Sequence, residues 1–419
     1  MNYYILPKKN NKILIDIKTT PDTPENKLNP CVSISVDHYL QVINKQIEEQ
    51  KKQNENINYE TIYKIANPYD LIFSNVPGLK FAVSKLKYHN NIFYLFMEVI
   101  INFNILENFT NNNITTIHYG ENIKSTIDCI NILREDYSDT HLFFEDVNNT
   151  HNDINDEYKH SVEILFFELN TVQNNGSINK YIVSLINCLQ KILNYQKYNG
   201  ISIIKVNALF YKPIVEILYI LTNIYEKIYI VKANTANIIN GERIIICKNY
   251  MTKNTFNQNN YLELSYKLHL QSQNIDDSTI IQSIISNNIP CYFLNKIEDS
   301  NINFGHSQIE QLDLILYIIK NKNRDEKIDT IKKNNIIKCI QWCEKYKIPY
   351  NKFVDKINIF LPCSYINYNT NSLQDIIVND MNDINDIDND IQIEQDNNII
   401  QNVMNEIIDE ISLHYCIQL

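Results

Sequence analysis

Short hydrophobic runs alternate with longer amphipathic segments between Ile114 and Tyr250. The short runs are rich in β-branched and aromatic residues, as strands are, and the longer segments have helical periodicity. This alternation predicts βαβ units and an α/β fold with a mostly parallel sheet. The strand candidates are ITTIHY, HLFFEDV, VEILFFEL, ISIIKV, KIYIVK and RIIICK, and the helix candidates are IKSTIDCINILRE, INKYIVSLINCLQKILNYQ and PIVEILYILTNIY.

The last two strand candidates are joined only by residues 233–242, and this link is too short for a crossover helix. They are therefore predicted to pair antiparallel, as a hairpin of strands near 228–232 and 242–248 that closes the sheet. A parallel sheet finished by such a hairpin has the outline of a Rossmann-like methyltransferase. A plain dinucleotide-binding domain would not need the hairpin.

The flanking patterns divide the rest of the chain. A mixed region over 1–110 contains the strand-like run KILIDIK, a charged helical stretch from Asp37 to Ala66 and the apolar helix candidate NIFYLFMEVIINFNIL. The Rossmann-like domain is predicted over 111–250, and a mainly helical region over 251–370. Residues 371–419 are expected to form an exposed acidic tail that is dispensable for folding.

The negative charge of the chain is concentrated in that tail. The formal net charge is −11, and residues 371–419 hold eleven Asp and Glu residues but no Lys or Arg. The remaining 38 acidic residues balance 38 basic ones. A globally basic nucleic-acid-binding protein is therefore excluded, whereas a local basic groove is not. The tail is a candidate surface for a protein partner.

Composition excludes several further classes of protein. None of the six glycines has the spacing of a P-loop or of a GxGxxG dinucleotide motif. The nine cysteines include no CxxC pair; Cys339 and Cys343 have helical spacing, so buried thiols are favoured over structural zinc, and no metal is expected. No apolar run is long enough for a membrane span, and the N-terminus lacks an uninterrupted apolar segment. The expectation is a soluble, cytoplasmic protein with no membrane partner.

The segment from Gly200 to Tyr250 resembles the C-terminal half of the FtsJ-like ribose 2′-O-methyltransferase family. That family has a strand ending in Lys, a helix, a second strand ending in Lys and a Glu that opens the last strand. Here Lys205 ends ISIIK, Lys232 ends YIVK and Glu242 opens ERIIIC. The resemblance extends more weakly back to about Asn67.

The resemblance implies a catalytic tetrad with the pattern Lys-Asp-Lys-Glu. Its members here would be Lys85, Glu168, Lys205 and Glu242, with Glu168 standing where the family has Asp, and Lys232 would bind substrate. Lys205 would activate the ribose 2′-hydroxyl. A second lysine nearby would lower its pKa by repulsion between like charges, so that a neutral amine could accept the hydroxyl proton.

The family's cofactor is S-adenosylmethionine, which is held by a glycine-rich loop after the first strand of the sheet. The matching segment TTIHYGENIKSTIDC has a single glycine, Gly120, followed by Glu121. Acidic residues after the next strand bind ribose hydroxyls in Rossmann-like folds, and Glu145 and Asp146 hold that place here.

Two functions remain open from the sequence. The first is an S-adenosylmethionine-dependent RNA ribose 2′-O-methyltransferase acting on mRNA caps. Its large flanking regions and AT-rich coding bias are typical of a cytoplasmic large DNA virus, which would place it in the host cytoplasm or the virion. The second is a catalytically degenerate methyltransferase fold that serves as an RNA-binding or scaffold subunit, which Gly120 standing alone and Glu168 favour.

Overall fold

The strands predicted between Ile114 and Tyr250 lie in one seven-stranded sheet in a computed structural model of the chain. A two-stranded sheet lies apart from it. The strands are β1 Asn2–Leu6, β2 Ile15–Pro21, β3 Thr115–Tyr119, β4 Thr140–Phe144, β5 Val162–Glu168, β6 Gln196–Val206, β7 Tyr225–Lys232, β8 Arg243–Tyr250 and β9 Thr279–Ile285. The α-helices are α1 Ile34–Gln53, α2 Tyr59–Ala66, α3 Asn91–Asn102, α4 Ile123–Leu133, α5 Ile178–Tyr195, α6 Lys212–Ile224, α7 Cys291–Lys320 and α8 Asp325–Lys345.

The structure describes most of the chain up to residue 353. The described ranges are 1–8, 13–23, 27–53, 58–86, 88, 90–148, 156–169, 178–207, 209–251, 279–321 and 325–353. The predicted acidic tail of 371–419 lies outside them, so its exposure and its part in folding stay predictions.

The large sheet has the strand order β1-β7-β8-β6-β5-β3-β4. Strands β4, β3, β5 and β6 are parallel, as the alternation of strands and helices predicts. Every residue of β5 is buried, and its near-continuous run of apolar residues is typical of a strand covered on both faces. The fold is mixed α/β, consistent with a Rossmann-like methyltransferase.

The pair formed by β7 and β8 is antiparallel, but it does not close the sheet. Strand β8 lies between β6 and β7, and β1 pairs with the outer side of β7, with Asn2 opposite Lys232. The expectation that a hairpin ends the sheet therefore needs correction, because the N-terminal residues supply one more strand at that edge.

Two strands were missed by the sequence patterns. One is β1, the run NYYIL near the N-terminus, which pairs antiparallel with β7. The other is β9, in a region predicted to be mainly helical, where the run TIIQSII pairs antiparallel with β2. This pair joins a strand from the region 1–110 to one from the region 251–370.

Helices cover both faces of the large sheet. On one face, Tyr119 and Phe167 belong to the largest apolar core, together with residues of α5 and α6. On the other face, Phe96 of α3 contacts the rings of His118 and Phe166. None of the helices in the described ranges combines the length and hydrophobicity that crossing a bilayer requires.

Candidate active site

Three of the four predicted tetrad residues meet at the carboxyl ends of neighbouring strands. Glu168 is the last residue of β5, and the parallel register places it opposite Lys205 of β6. Glu242 directly precedes β8. The Lys205 Nζ atom lies 3.2 Å from Glu168 Oε1 and 3.1 Å from Glu242 Oε1, and the three side chains are exposed by only 3%, 2% and 7%. Ligands of open α/β sheets bind at this edge.

The two carboxylates keep Lys205 charged. Burial alone lowers the pKa of the Lys205 ammonium, but the charges of Glu242 and then Glu168, with their hydrogen bonds, outweigh it and raise the pKa above its ordinary value. This arrangement does not favour the hypothesis of a neutral lysine base. Lys205 can stabilise negative charge, and a carboxylate is the group able to accept a proton.

Glu168 also binds the N-terminus of α4. Its Oε2 accepts the backbone N–H of Asn122 at 3.1 Å, and its Oε1 accepts the side-chain Nδ2 of Asn122 at 3.0 Å. Asn122 is the residue before the first turn of α4, where the helix dipole favours negative charge. The extra methylene of Glu, compared with Asp, allows one carboxylate to reach both Lys205 and Asn122.

The predicted cofactor-binding residues line one cleft on the Glu168 side, here called the first cleft. Its volume is about 270 Å³. Gly120, Glu121, Glu145 and Asp146 all border it, together with Glu168. Gly120 follows β3 directly, and its φ of +141° lies in the region that favours glycine.

Gly120→Ala is expected to destabilise the protein and to distort the first cleft. A Cβ atom at Gly120 would lie 2.5 Å from the Cβ of Glu168, and the φ of +141° is unfavourable for alanine. We expect a loss of about 2–4 kcal/mol in the free energy of unfolding, measured by urea denaturation. Gly78→Ala is the control, since its Cβ would meet only the end of the Lys332 side chain, at 3.7 Å, although its φ is also positive. Equal losses in the two variants would show that backbone strain alone is responsible.

A second cleft lies on the Glu242 side of Lys205. Its volume is about 230 Å³, and Asn90, Asn91 and Glu242 are among its lining residues. Asn91, the first residue of α3, donates its Nδ2 to Glu242 Oε2 at 3.0 Å, and the backbone N–H of Asn237 donates to the same oxygen at 2.8 Å. Lys205 therefore lies between two clefts, with one carboxylate facing each.

Lys85 does not join this cluster among the described contacts. Its side chain is exposed, and its backbone N–H donates to Pro349 O at 2.9 Å. Asn91 donates a hydrogen bond to Glu242 without adding a charge.

Lys232 lies on the opposite face of the sheet from Lys205. Lys205 and Val231 both pair with Ile244, so these three side chains share one face. Lys232, which follows Val231, and Arg243, which precedes Ile244, therefore point to the other face. Arg243 is buried there between the rings of Phe210 and Phe304. A substrate contact of Lys232 next to Lys205 stays a prediction that this geometry does not favour.

Replacing Lys232 with methionine is expected to stabilise the protein at neutral pH. Burial, then the charge of Arg243, lowers the pKa of Lys232 to about 8, so the folded state disfavours the proton. The folded state is therefore destabilised by the charged lysine. This loss of stability is present in full below pH 8 and disappears as the pH rises to the unfolded pKa of about 10.5. The free energy of unfolding should rise by on the order of 2 kcal/mol at pH 7, and the gain should shrink at pH 9. A Lys227→Met control should show no such gain.

The sequence analysis missed Glu98 in the middle of α3. This fully buried carboxylate accepts the backbone N–H groups of Asn234 and Thr235 at 2.9 and 3.1 Å, the Thr235 hydroxyl at 2.9 Å and Trp342 Nε1 at 3.2 Å. It thereby anchors the link that leads to Glu242. A lone carboxylate within the apolar run NIFYLFMEVIIN was the available signal, since a buried charge needs several partners.

A buried histidine beneath the first cleft makes stability sensitive to acid. Burial, then the charge of His141, lowers the pKa of His118 to about 3, while the unfolded value is about 6.5. Its ring nitrogens bond the hydroxyls of Thr116 and Thr126 at 2.9 and 2.7 Å. The neutral ring is therefore favoured by the fold, and stability present above pH 6.5 is lost as the pH falls towards 3.

Lowering the pH from 7 to 5 should reduce the free energy of unfolding by about 2 kcal/mol because of this histidine. His118→Gln should reduce the difference between the two pH values, measured by urea denaturation. His306→Gln, which alters a mostly exposed ring, should leave it unchanged. An unchanged difference in the His118 variant would contradict the assignment.

The cysteines and other potential metal ligands form no centre in the described part of the chain. Cys339 and Cys343 lie buried on α8, and the Cys339 thiol donates to Pro68 O at 3.4 Å. No group of three or more His, Cys, Asp or Glu side chains within the described ranges is arranged to hold a metal ion.

Comparison with known proteins adds little to this description. No protein-family model and no curated protein matches the chain. Among the matching solved structures is a Plasmodium falciparum protein, provisionally described as a ribosomal RNA methyltransferase. It is 14% identical, with a TM-score of 0.30, and the match covers 39% of this chain and 99% of that one. This likeness is too weak to carry an argument about function.

Proposed function

We propose that the protein is an S-adenosylmethionine-dependent RNA ribose 2′-O-methyltransferase. The observation that carries the proposal is the ammonium of Lys205, held at 3.2 and 3.1 Å between Glu168 and Glu242 with a cleft beyond each carboxylate. Transfer of a group between two bound molecules needs two adjoining sites, and a fixed charge beside the reacting oxygen stabilises the charge that develops on it.

The first cleft suits the cofactor in its charge and its shape. Glu145 and Asp146 could accept the ribose hydroxyls, and the lining carboxylates complement the positive charge of a sulfonium. Gly120 lets Glu168 approach the loop closely at the cleft, because an added Cβ would lie only 2.5 Å from the Glu168 Cβ. S-adenosylmethionine bound there would supply an electrophilic methyl group.

The residues of the chain would then act on the hydroxyl group. Glu242 borders the second cleft and would accept the hydroxyl proton. Lys205 remains an ammonium and stabilises the negative charge that develops on the oxygen. Glu168 and Asn91 hold Lys205 and Glu242 in position.

Capped mRNA is the proposed substrate, with the cytoplasm as the compartment. This choice follows from the AT-rich coding bias and the large flanking regions, which are typical of large DNA viruses that cap their own transcripts.

The test is transfer of a deuterated methyl group from S-adenosylmethionine to capped and uncapped RNA, followed by mass spectrometry of the nucleosides. A labelled 2′-O-methylnucleoside is expected, in larger yield from capped RNA. Cofactor binding is measured separately by calorimetry. The alternative of a degenerate scaffold fold is favoured if the protein binds RNA but does not bind S-adenosylmethionine and transfers no label. The observation that supports this alternative is that Glu168 occupies the N-terminus of α4.

A further inference from the structure

The second cleft is lined by amides, aromatic rings and acids. Asn67, Asn90 and Asn91 supply amides, and Tyr69 and Phe73 supply rings. The cleft adjoins a wider groove of about 440 Å³, with which it shares Asn67, Asp70, Phe73 and Asn237. A site of this composition can hold a flat polar molecule by stacking and hydrogen bonds.

Hydrogen bonds that start at Glu168 and Glu242 fix the side-chain orientations of Asn90 and Asn91. The Glu168 carboxylate, paired with Lys205, only accepts hydrogen bonds, so the Asn122 atom that faces it must be Nδ2. Asn122 therefore presents Oδ1 to Asn90, and Asn90 must donate its Nδ2 there, at 3.0 Å. The Oδ1 of Asn90 is left as an acceptor, buried and without a hydrogen-bond partner in the described part of the chain.

Asn91 is oriented in the same way. Its Nδ2 donates to Glu242 Oε2, so its Oδ1 is also an acceptor. Asp70 also lines the cleft, and its Oδ2 already accepts the Ser74 hydroxyl. The second cleft thus has acceptors at Asn90 and Asn91, beside the Nδ2 donors of Asn67 and Asn237, whose Oδ1 atoms accept backbone N–H groups. Of these, the Oδ1 of Asn90 is the buried acceptor that lacks a donor, which is costly.

The charge of the combined groove argues against a phosphate in it. Glu60, Asp70 and Glu242 line it, and the lysine of the groove, Lys64, is already bound to Glu60 at 2.6 Å. A neutral group that carries N–H donors fits this lining better than an anion.

We propose that the second cleft binds the base of a nucleoside through its exocyclic amino group, which donates to Asn90 Oδ1 while the base stacks on an aromatic ring. This inference rests on the proposed function, and it names the nucleosides that the site prefers. Adenosine and cytidine carry this amino group. Inosine and uridine carry a carbonyl in its place, which would face an acceptor.

The test compares nucleosides that differ by that one group, without cofactor present. Ligand-observed NMR titrations would give the affinities of adenosine against inosine and of cytidine against uridine. The amino-bearing member of each pair should bind about five- to tenfold more tightly, the size of one hydrogen bond. Asn90→Leu should abolish this preference, whereas Asn75→Leu, in the wider groove, should keep it.

Three results would each overturn the inference: equal affinities within both pairs, no detectable binding, or a preference that survives in Asn90→Leu. Because the titrations need no methyl transfer, the outcome is independent of the proposed activity. An inactive protein that still prefers adenosine to inosine would contradict the enzyme and leave the binding site standing.

Discussion

Replacing Lys205 with methionine is expected to lower the rate of methyl transfer by about 1,000-fold, while the affinity for S-adenosylmethionine stays within about twofold. The reason is that, in the proposed mechanism, Lys205 acts on the ribose oxygen, whereas other residues of the first cleft bind the cofactor. Its pKa is raised by two carboxylates, so its contribution is a positive charge fixed where negative charge develops. Single-turnover rates and calorimetric titration of the cofactor measure the two effects.

In this experiment, a loss of activity that comes from lower folding stability must be distinguished from a loss of catalysis. Methionine would leave Glu168 and Glu242 buried and without their cation, at a cost of about 3–5 kcal/mol. The double variant Lys205→Met with Glu168→Gln removes one of these charges and should melt closer to the parent protein. Lys197→Met, on the same strand but half-exposed, is the activity control. A folded Lys205 variant that retains a tenth of the parent rate would contradict the assigned role.

The convergence of Glu168, Lys205 and Glu242 could be predicted because it follows from strand ends. Carboxyl ends of parallel strands meet at one edge of a sheet, and the polar residues that end VEILFFE and ISIIK are visible in the sequence. Residues 233–242 were also readable as a link between antiparallel strands.

Two features could not be predicted in this way: the face of the sheet on which Lys232 lies, and the side chain that binds Glu242. A shift of one residue in strand register moves a side chain to the other face, and a one-dimensional pattern does not contain the register. Asn91 reaches Glu242 only because α3 begins beside the link 233–242, which Glu98 anchors. Among so many asparagines, nothing in the sequence distinguishes this one.

The acceptor that Asn90 presents in the second cleft likewise depends on a chain of contacts. The orientation of Asn90 follows from Asn122, and that of Asn122 follows from Glu168. If the acid at the end of β5 were an Asp, its shorter side chain would not hold Lys205 and Asn122 together, and the orientation of both amides would be lost.

Shortening Glu168 to aspartate is therefore expected to lower activity by about 10- to 100-fold, although the resemblance gives Asp as the family's residue at this place. The Glu168 carboxylate bridges Lys205 Nζ at 3.2 Å and the Asn122 backbone N–H at 3.1 Å. Loss of one methylene retracts it by about a bond length, and a displacement of about 1 Å can cost a factor of 10² in rate. Steady-state kinetics with saturating RNA would measure the change.

Glu163→Asp is the matched control, because this acid lies on the same strand and pairs with Lys197 at 2.6 Å, away from both clefts. It should leave the rate within about twofold, since a partly exposed ion pair contributes little. Glu168→Gln should lose more than Glu168→Asp, because the amide keeps the length but removes the charge that holds Lys205. A rise in activity in Glu168→Asp would mean that Glu168 is a degraded member of an Asp-based site. In that case the bridge to Asn122 restrains catalysis rather than supporting it.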